Sequence, residues 1–164
     1  MGTIFDDVLA ANVTYSASYQ LADLAAVAAR GLAVLTCMDS RIDPLRMLGL
    51  QPGDAKILRN AGARVTDDVL RTLVLASFLL GVDRVMVVAH TSCRMATDGE
   101  EDVHDAIREA GGPDTRSIPF LTTGHQEDSL RADVQRVRSW PYLGNVIVGG
   151  FVLDLKSGLL HQVC

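Results

Sequence analysis

The amino-acid sequence predicts an α/β protein with a mainly parallel four-stranded sheet, flanked by helices, with an additional edge strand or hairpin at the C-terminus. Short apolar runs alternate along the chain with longer segments of helical character, and this order is typical of a parallel sheet that is covered on both faces. The run "VDRVMVVAH" (82–90) is apolar on both faces, as parallel interior strands are. No internal repeat interrupts the pattern, so we expect a single domain.

The strands are predicted where short apolar runs are bounded by glycine or by turn residues. A hairpin through Lys156-Ser157-Gly158 is expected to follow the last strand. The predicted strands are "GLAVLTC" (31–37), "AKILRNAG" (55–62), "VDRVMVVAH" (82–90) and the first part of "NVIVGGFVLDLKSGLLHQV" (145–163).

Helices are predicted from capping residues and apolar spacing. Asp43 is a good N-cap that precedes Pro44, and Thr66 caps a helix with two acids in its first turn. The helix at 66–80 has almost no polar face, so we expect it to be buried between the sheet and a further layer. The predicted helical segments are 3–19, 43–49, 66–80, 101–110 and 125–139, and 20–30 is an Ala-rich connector or helix end.

Composition excludes several classes of function. A formal charge of −5 over 164 residues argues against nucleic acid or an anionic membrane as the main partner. No apolar run reaches the length of a membrane-spanning helix, and the acidic N-terminal segment lacks the layout of a signal peptide, so we expect a cytoplasmic protein. Residues 1–30 are expected to form a helical arm that packs on a partner subunit, and residues 31–164 to form the α/β domain that carries the site.

Three residues that can bind a metal are predicted to meet at one edge of the sheet. Cys37 ends the first strand, His90 ends the third, and Cys93 lies one turn further on. Ligands bind beyond the carboxyl ends of the strands in such sheets. Two thiolates and one imidazole with an open fourth position are typical of a catalytic zinc site. Each residue alone is more often part of a core, but their coincidence at one edge favours a metal site.

Two features of the sequence bear on this predicted site. A helix is expected to begin near Cys93, where its dipole would favour the thiolate. Asp39 and Arg41 follow Cys37 by two and four residues, and a bidentate pair between them would hold the carboxylate off the metal.

The segment "CMDSR" (37–41), followed about fifty residues later by "HTSC" (90–93), resembles the signature of the β-class carbonic anhydrases, Cys-x-Asp-x-Arg with His-x-x-Cys. The resemblance spans roughly residues 30–155 and includes "RNAG" (59–62). It implies reversible, zinc-dependent hydration of carbon dioxide to bicarbonate and a proton.

The resemblance also implies roles for individual residues. The zinc (Zn2+) ligands would be Cys37, His90 and Cys93, and the catalytic dyad would be Asp39 and Arg41. In the family the aspartate either pairs with the arginine or becomes a fourth zinc ligand that closes the site. The family assembles as dimers or higher multiples, with the pocket at the dimer interface, which implies a homodimer or higher homo-oligomer.

Gly62, Arg94 and Met95 are expected to line the substrate pocket. Arg94 stands where family members usually have glycine, and Ser92 stands where many shorter relatives have aspartate. We expect the Arg94 guanidinium, at the start of the helix predicted near Cys93, either to face water or a partner subunit, or to stabilise anions in the pocket.

Three alternatives remain open at this stage. The same scaffold could hydrolyse carbonyl sulfide or carbon disulfide, and pocket shape would decide between these substrates and carbon dioxide. The protein could also retain zinc without turnover, a reading that Arg94 keeps open. A metal-free thiol protein is disfavoured, because Cys37 and Cys93 lack Cys-x-x-Cys spacing, and Cys164 is expected to be a free, mobile thiol.

Overall fold

A five-stranded sheet forms the centre of the molecule, and its strands lie in the order β2-β1-β3-β4-β5. The computed structural model describes residues 2–97 and 99–164. The first four strands are parallel, and β5 is antiparallel to β4. The strands are β1 (Leu32–Cys37), β2 (Ala55–Asn60), β3 (Arg84–His90), β4 (Ile147–Leu153) and β5 (Leu160–Gln162). The predicted fold class is confirmed, including the C-terminal edge strand.

In the described part of the chain, α1 precedes the first strand, and four further helices and one short 3-10 turn lie between β1 and β4. The predicted caps are present, because the Asp43 carboxylate accepts the Arg46 N–H at 3.1 Å and the Thr66 hydroxyl accepts the Val69 N–H at 3.3 Å. None of the described helices combines the length and apolarity needed to span a bilayer. The helices are α1 (Asp6–Ser16), α2 (Pro44–Met47), α3 (Asp67–Leu79), α4 (Glu100–Glu109) and α5 (Gln126–Arg138), and the 3-10 turn is Ala61–Ala63.

The two faces of the sheet are buried against different elements. All six residues of β1 are buried, and because side chains alternate along a strand, β1 contributes to both faces. Ala33 and Leu35 pack in the cluster that contains the apolar residues of α3 and α5. Leu32 and Val34 pack in a second cluster, which also contains Cys37, Ile42, Leu50, Cys93 and Met95. The second cluster therefore joins the sheet to the segments that carry the predicted metal ligands.

Helix α3 is covered on one side only. Its inner residues Leu70 and Leu73 are fully buried, but Phe78 and Leu79 are 68% and 71% exposed. No residue of α1 is buried either, and its apolar side chains lie in solvent. The expected further layer over α3 is therefore not supplied by the described residues of the chain itself.

The C-terminal residue is held in place rather than mobile. The Cys164 carbonyl accepts the Gly150 N–H at 2.8 Å, and its sulfur lies against the backbone of Gly150, where an added Cβ would approach it to 2.8 Å. This pairing continues the β4–β5 ladder. The expectation of a mobile thiol was wrong, because backbone hydrogen bonds beyond β5 fix the chain end.

A largely buried ion pair ties the residue after the 3-10 turn, Arg64, to α5. The Arg64 Nε lies 2.6 Å from the Asp133 carboxylate, with side chains only 16% and 7% exposed. The same carboxylate accepts the Val65 N–H at 3.2 Å, and the Arg64 guanidinium also donates to the Leu121 carbonyl at 2.6 Å. The network joins three segments that are distant in sequence.

Replacing Asp133 by alanine should lower the free energy of unfolding by about 3–5 kcal/mol, because it leaves a buried guanidinium without its counter-charge. Denaturant unfolding at constant slope measures the change. Asp105→Ala is the matched control, since Asp105 pairs with Arg108 on the exposed surface of α4 and such pairs contribute about 1 kcal/mol or less. Equal, small losses in both variants would contradict the proposed importance of the buried pair.

Candidate metal centre

Cys37, His90 and Cys93 come together at the carboxyl edge of the sheet. The register pairs Thr36 of β1 with Val88 of β3, so both strands deliver their last residues to the same edge. The ligand atoms of the three side chains lie within 4.8 Å of one another, and the two sulfurs are 3.9 Å apart. A pair of thiols and an imidazole at these separations can surround one metal ion.

The hydrogen bonding of the His90 ring leaves one ring nitrogen available to a metal ion. Its Nδ1 lies 2.9 Å from the Thr91 carbonyl, to which an Nδ1–H donates, and this tautomer leaves a lone pair on Nε2. The Nε2 atom is buried and has no hydrogen-bond partner among the described residues. A buried nitrogen without a partner is costly. A metal ion beside the two thiols would satisfy it.

The protein surroundings alone do not favour the Cys93 thiolate. Burial raises the pKa of the Cys93 thiol, the Met95 N–H lowers it in part, and the adjacent Cys37 raises it again. A thiolate is the form that binds metal. A cation held between the two sulfurs would offset the cost of ionising them, so the donor set fits a divalent metal.

Asp39 and Arg41 form a forked ion pair beside this cluster. The Arg41 Nε donates to Asp39 Oδ1 at 2.9 Å and its terminal nitrogen donates to Oδ2 at 2.6 Å, while the Arg41 N–H also donates to Oδ1 at 2.9 Å. These bonds from Arg41 hold the pKa of Asp39 well below its usual range. Oδ2 lies 3.9 Å from His90 Nε2. The carboxylate is therefore next to the cluster but is held by the guanidinium.

The same forked geometry occurs a second time, away from the cluster. Arg116 donates from its backbone N–H and its Nε to Asp114 Oδ1 at 3.1 and 3.0 Å, and from its terminal nitrogen to Oδ2 at 2.5 Å. Both pairs have Asp-x-Arg spacing. The Arg41 guanidinium differs in that it also donates to the Ser92 carbonyl at 3.2 Å, which ties its pair to the segment between His90 and Cys93.

A cavity of about 480 Å³ opens beside the cluster. Arg94 and Met95 form part of its wall, together with Cys37, Met38, Asp39, Ser40, Arg41, Ala61 and Cys93. Gly62 lies behind Met95, with a φ of 76° that favours glycine. A Cβ on Gly62 would come within 3.2 Å of the Met95 Cβ, so the glycine allows the close approach of Met95.

The helix expected near Cys93 is absent. Residues 91–95 form turns, and the next helix, α4, begins only at Glu100. Ser92 has a φ of 55°, which breaks right-handed helical geometry at the point where a helix would start. The helix-dipole argument for Cys93, and the placement of Arg94 at a helix start, were therefore wrong.

Two residues that support the cluster were not identified from the sequence. The Gln126 side chain donates to the His90 carbonyl at 2.9 Å, and the Arg59 guanidinium donates to carbonyls at the end of β1 and in the segment that follows it. Arg59 carried only a weak signal, its place in "RNAG". Gln126 carried none, because its contact joins residues 36 positions apart.

Comparison with known proteins places these features in a family. The family model described as "Carbonic anhydrase" matches residues 32–113. Beta-carbonic anhydrase 1 of Mycobacterium tuberculosis is 35% identical over 162 residues, covering 98% of both chains. The crystal structure of carbonic anhydrase from Streptococcus mutans superposes with a TM-score of 0.90 at 33% identity, covering 100% of this chain and 99% of that one.

A further relative is named for a different activity. Carbon disulfide hydrolase of Acidianus is 47% identical over 74 residues, which cover 45% of this chain and 36% of that protein. This match is closer in identity but shorter than the matches along the whole chain. By family model, whole-chain identity and fold, the protein belongs to the β-carbonic anhydrase family.

Proposed function

We propose that the protein catalyses the reversible hydration of carbon dioxide to bicarbonate and a proton, with zinc held by Cys37, His90 and Cys93. The observation that carries this proposal is the buried His90 Nε2, which lies beside two thiols and has no hydrogen-bond partner in the described part of the chain. The whole-chain similarity to Beta-carbonic anhydrase 1 of Mycobacterium tuberculosis supports it. When bound, zinc supplies the Lewis acidity that makes water nucleophilic near neutral pH.

The Asp39 carboxylate has one acceptor position left for a water molecule. A carboxylate offers about four acceptor sites, two on each oxygen. Oδ1 accepts two hydrogen bonds from Arg41 and Oδ2 accepts one. The free position is therefore on Oδ2, the oxygen 3.9 Å from His90 Nε2. We assign Asp39 the role of orienting water through this oxygen.

Arg41 keeps Asp39 ionised and in place. Because its bonds depress the pKa of Asp39, the carboxylate acts as a hydrogen-bond acceptor and not as an acid at neutral pH. Lysine could not form the same planar fork. The arginine thereby determines whether the carboxylate stays off the metal position or enters it as a fourth ligand.

The cavity wall completes the proposed site. Its volume is large enough for carbon dioxide and bicarbonate, and Arg94 lies in its wall but is an exposed residue, so a guanidinium turned inward would favour bicarbonate and other anions. Gly62 supports this wall indirectly, through Met95.

Hydrolysis of carbon disulfide is a second candidate function. The 47% identity of one segment to the Acidianus enzyme favours it, because carbon disulfide is a linear molecule of the same kind as carbon dioxide. Assays of both substrates on one zinc-loaded preparation separate the two functions. Turnover of carbon disulfide alone would replace the first proposal by the second.

The chain is proposed to assemble as a homodimer or higher homo-oligomer, with residues 1–30 as an arm on the partner subunit. The exposed apolar surfaces of α1 and α3 support this, because monomers rarely expose contiguous apolar patches of this kind. A solved neighbour from Sordaria macrospora is described as tetrameric. A cytoplasmic location stays a prediction.

The purified protein should hold about one zinc ion per chain. Cys93→Ala should lose the metal and unfold at a lower temperature, because metal binding contributes to folding free energy. Metal analysis and thermal unfolding measure both effects. Cys164→Ala is the control and should retain the metal, since Cys164 lies on the β4–β5 edge. A folded wild type that takes up no zinc on dialysis against it would refute the site.

Asp39→Asn and Arg41→Lys should retain zinc but lose hydration activity by about 10–100-fold, the usual cost of losing a group that orients a metal site. Stopped-flow hydration and metal analysis of the same samples test this. Asp114→Asn is the matched control, because it breaks the second Asp-x-Arg fork and should leave activity unchanged. Full activity in Asp39→Asn would remove the role assigned to its carboxylate.

The 17.6 kDa chain should have at least twice its own mass in solution at micromolar concentration. Phe78→Glu should shift the mass towards a monomer, because it places a charge on the exposed apolar side of α3. Light scattering measures both masses. Tyr142→Glu, at a position of similar exposure outside α1 and α3, should not change the mass. A monomeric wild type would be the contrary result.

A further inference from the structure

Arg59, at the end of β2, contacts three backbone carbonyls of a single segment. Its Nε donates to the Cys37 carbonyl at 3.0 Å, one terminal nitrogen donates to the Ile42 carbonyl at 3.2 Å, and the other donates to the Asp39 carbonyl at 2.7 Å. The three carbonyls lie within residues 37–42. We propose that Arg59 is a positioning residue that holds Asp39 beside the metal cluster. This inference rests on the proposed function.

The segment after β1 needs such a partner. The last backbone bond between this segment and β2 is from the Met38 N–H to the Asn60 carbonyl, at 3.0 Å. Beyond it the chain turns away from the sheet, and the Ile42 N–H closes the turn on the Asp39 carbonyl at 3.0 Å. Strand-end carbonyls that leave the ladder require other donors. Arg59 supplies three of them from one rigid group.

The geometry requires a guanidinium. Arginine presents five N–H donors in a planar fork, and three separate nitrogens of Arg59 are used here. A lysine ammonium is a compact point charge on a flexible stem, so it cannot hold three carbonyls spread over six residues with the same directions. Arg59→Lys therefore retains the charge and removes the fixed geometry.

Loss of Arg59 should affect Asp39 more than Cys37. Cys37 is still paired with Asn60 in the β1–β2 register, and its side chain is buried in the core cluster. Asp39 has neither support, and its carbonyl makes the shortest of the three bonds. The metal ligands should consequently remain assembled while the carboxylate loses its alignment.

The neighbouring Asn60 holds the opposite wall of the site in a comparable way. Its amide nitrogen donates to the Arg64 carbonyl at 2.7 Å, and its amide oxygen accepts the Arg64 N–H at 2.8 Å. These two bonds close the turn that contains Gly62, on which Met95 packs. Arg59 thus supports the segment that contains Asp39, and Asn60 supports the turn on which Met95 packs. Substitution of Arg59 therefore leaves the hydrogen bonds behind Met95 in place.

The test compares Arg59→Lys and Arg59→Ala with Arg138→Lys. Arg138 is the matched control, because its guanidinium also donates to a backbone carbonyl, that of Val148 at 2.7 Å, but at the opposite end of the strands. Three readouts are taken on each full-length protein. They are the visible absorption of the cobalt(II)-substituted form, the affinity for zinc in competition with a chelator, and kcat and KM for carbon dioxide.

Both Arg59 variants should bind one metal ion per chain, change the ligand-field bands of cobalt, and lose about 10–100-fold in kcat. In an Asp39→Asn background, Arg59→Lys should add almost no further loss, since residues that act through one another are not additive. A purely structural role would give additive losses. Arg138→Lys should resemble the wild type in all three readouts.

An unchanged cobalt spectrum together with unchanged kcat in Arg59→Lys would overturn the proposal, as would an equal loss in Arg138→Lys. If Arg59→Ala does not fold, Arg59→Lys carries the test. The cobalt spectrum also separates this proposal from the proposed function. A wild type that binds cobalt but does not hydrate carbon dioxide refutes the activity, whereas the spectral comparison still decides the role of Arg59.

Discussion

The parallel pairing of β1 with β3 is the constraint on which the whole site depends. Their register places the ends of both strands at one edge, and it is set by burial, because a slip of one residue would turn every side chain to the opposite face. Leu35 and Val87 must face α3 and α5 in the main core. The packing of these apolar residues therefore fixes the separation of Cys37 and His90.

Side-chain donors then secure the loops where the strands end. Arg59 binds carbonyls at the end of β1 and just beyond it, Gln126 binds the last carbonyl of β3, and Arg41 binds the Ser92 carbonyl between His90 and Cys93. Two of these side chains, Arg59 and Gln126, come from elements that contribute no residue to the cluster of Cys37, His90 and Cys93. This explains how a site built on turns can be as well defined as one built on strands.

Much of this arrangement could be predicted from local sequence. The strands and the clustering of Cys37, His90 and Cys93 could be predicted because apolar runs end at Cys37 and His90, and parallel strand ends share an edge. Features that depend on tertiary structure could not be predicted. The positive φ of Ser92, which prevents a helix at Cys93, depends on the geometry of the whole turn. The contacts of Arg59 and Gln126 span 17–36 residues, and no spacing rule encodes them.

The second Asp-x-Arg fork, at Asp114 and Arg116, shows that this arrangement is determined by local contacts. All of its internal contacts fall within three consecutive residues, so it can form in any loop that permits the turn, and its shape carries no chemistry of its own. A role in chemistry requires the position that the Asp39–Arg41 fork has at the sheet edge, beside the cluster. An Asp-x-Arg turn could therefore be introduced at the strand ends of another α/β protein to fix a carboxylate in place. The metal ligands and the turn could then be designed independently.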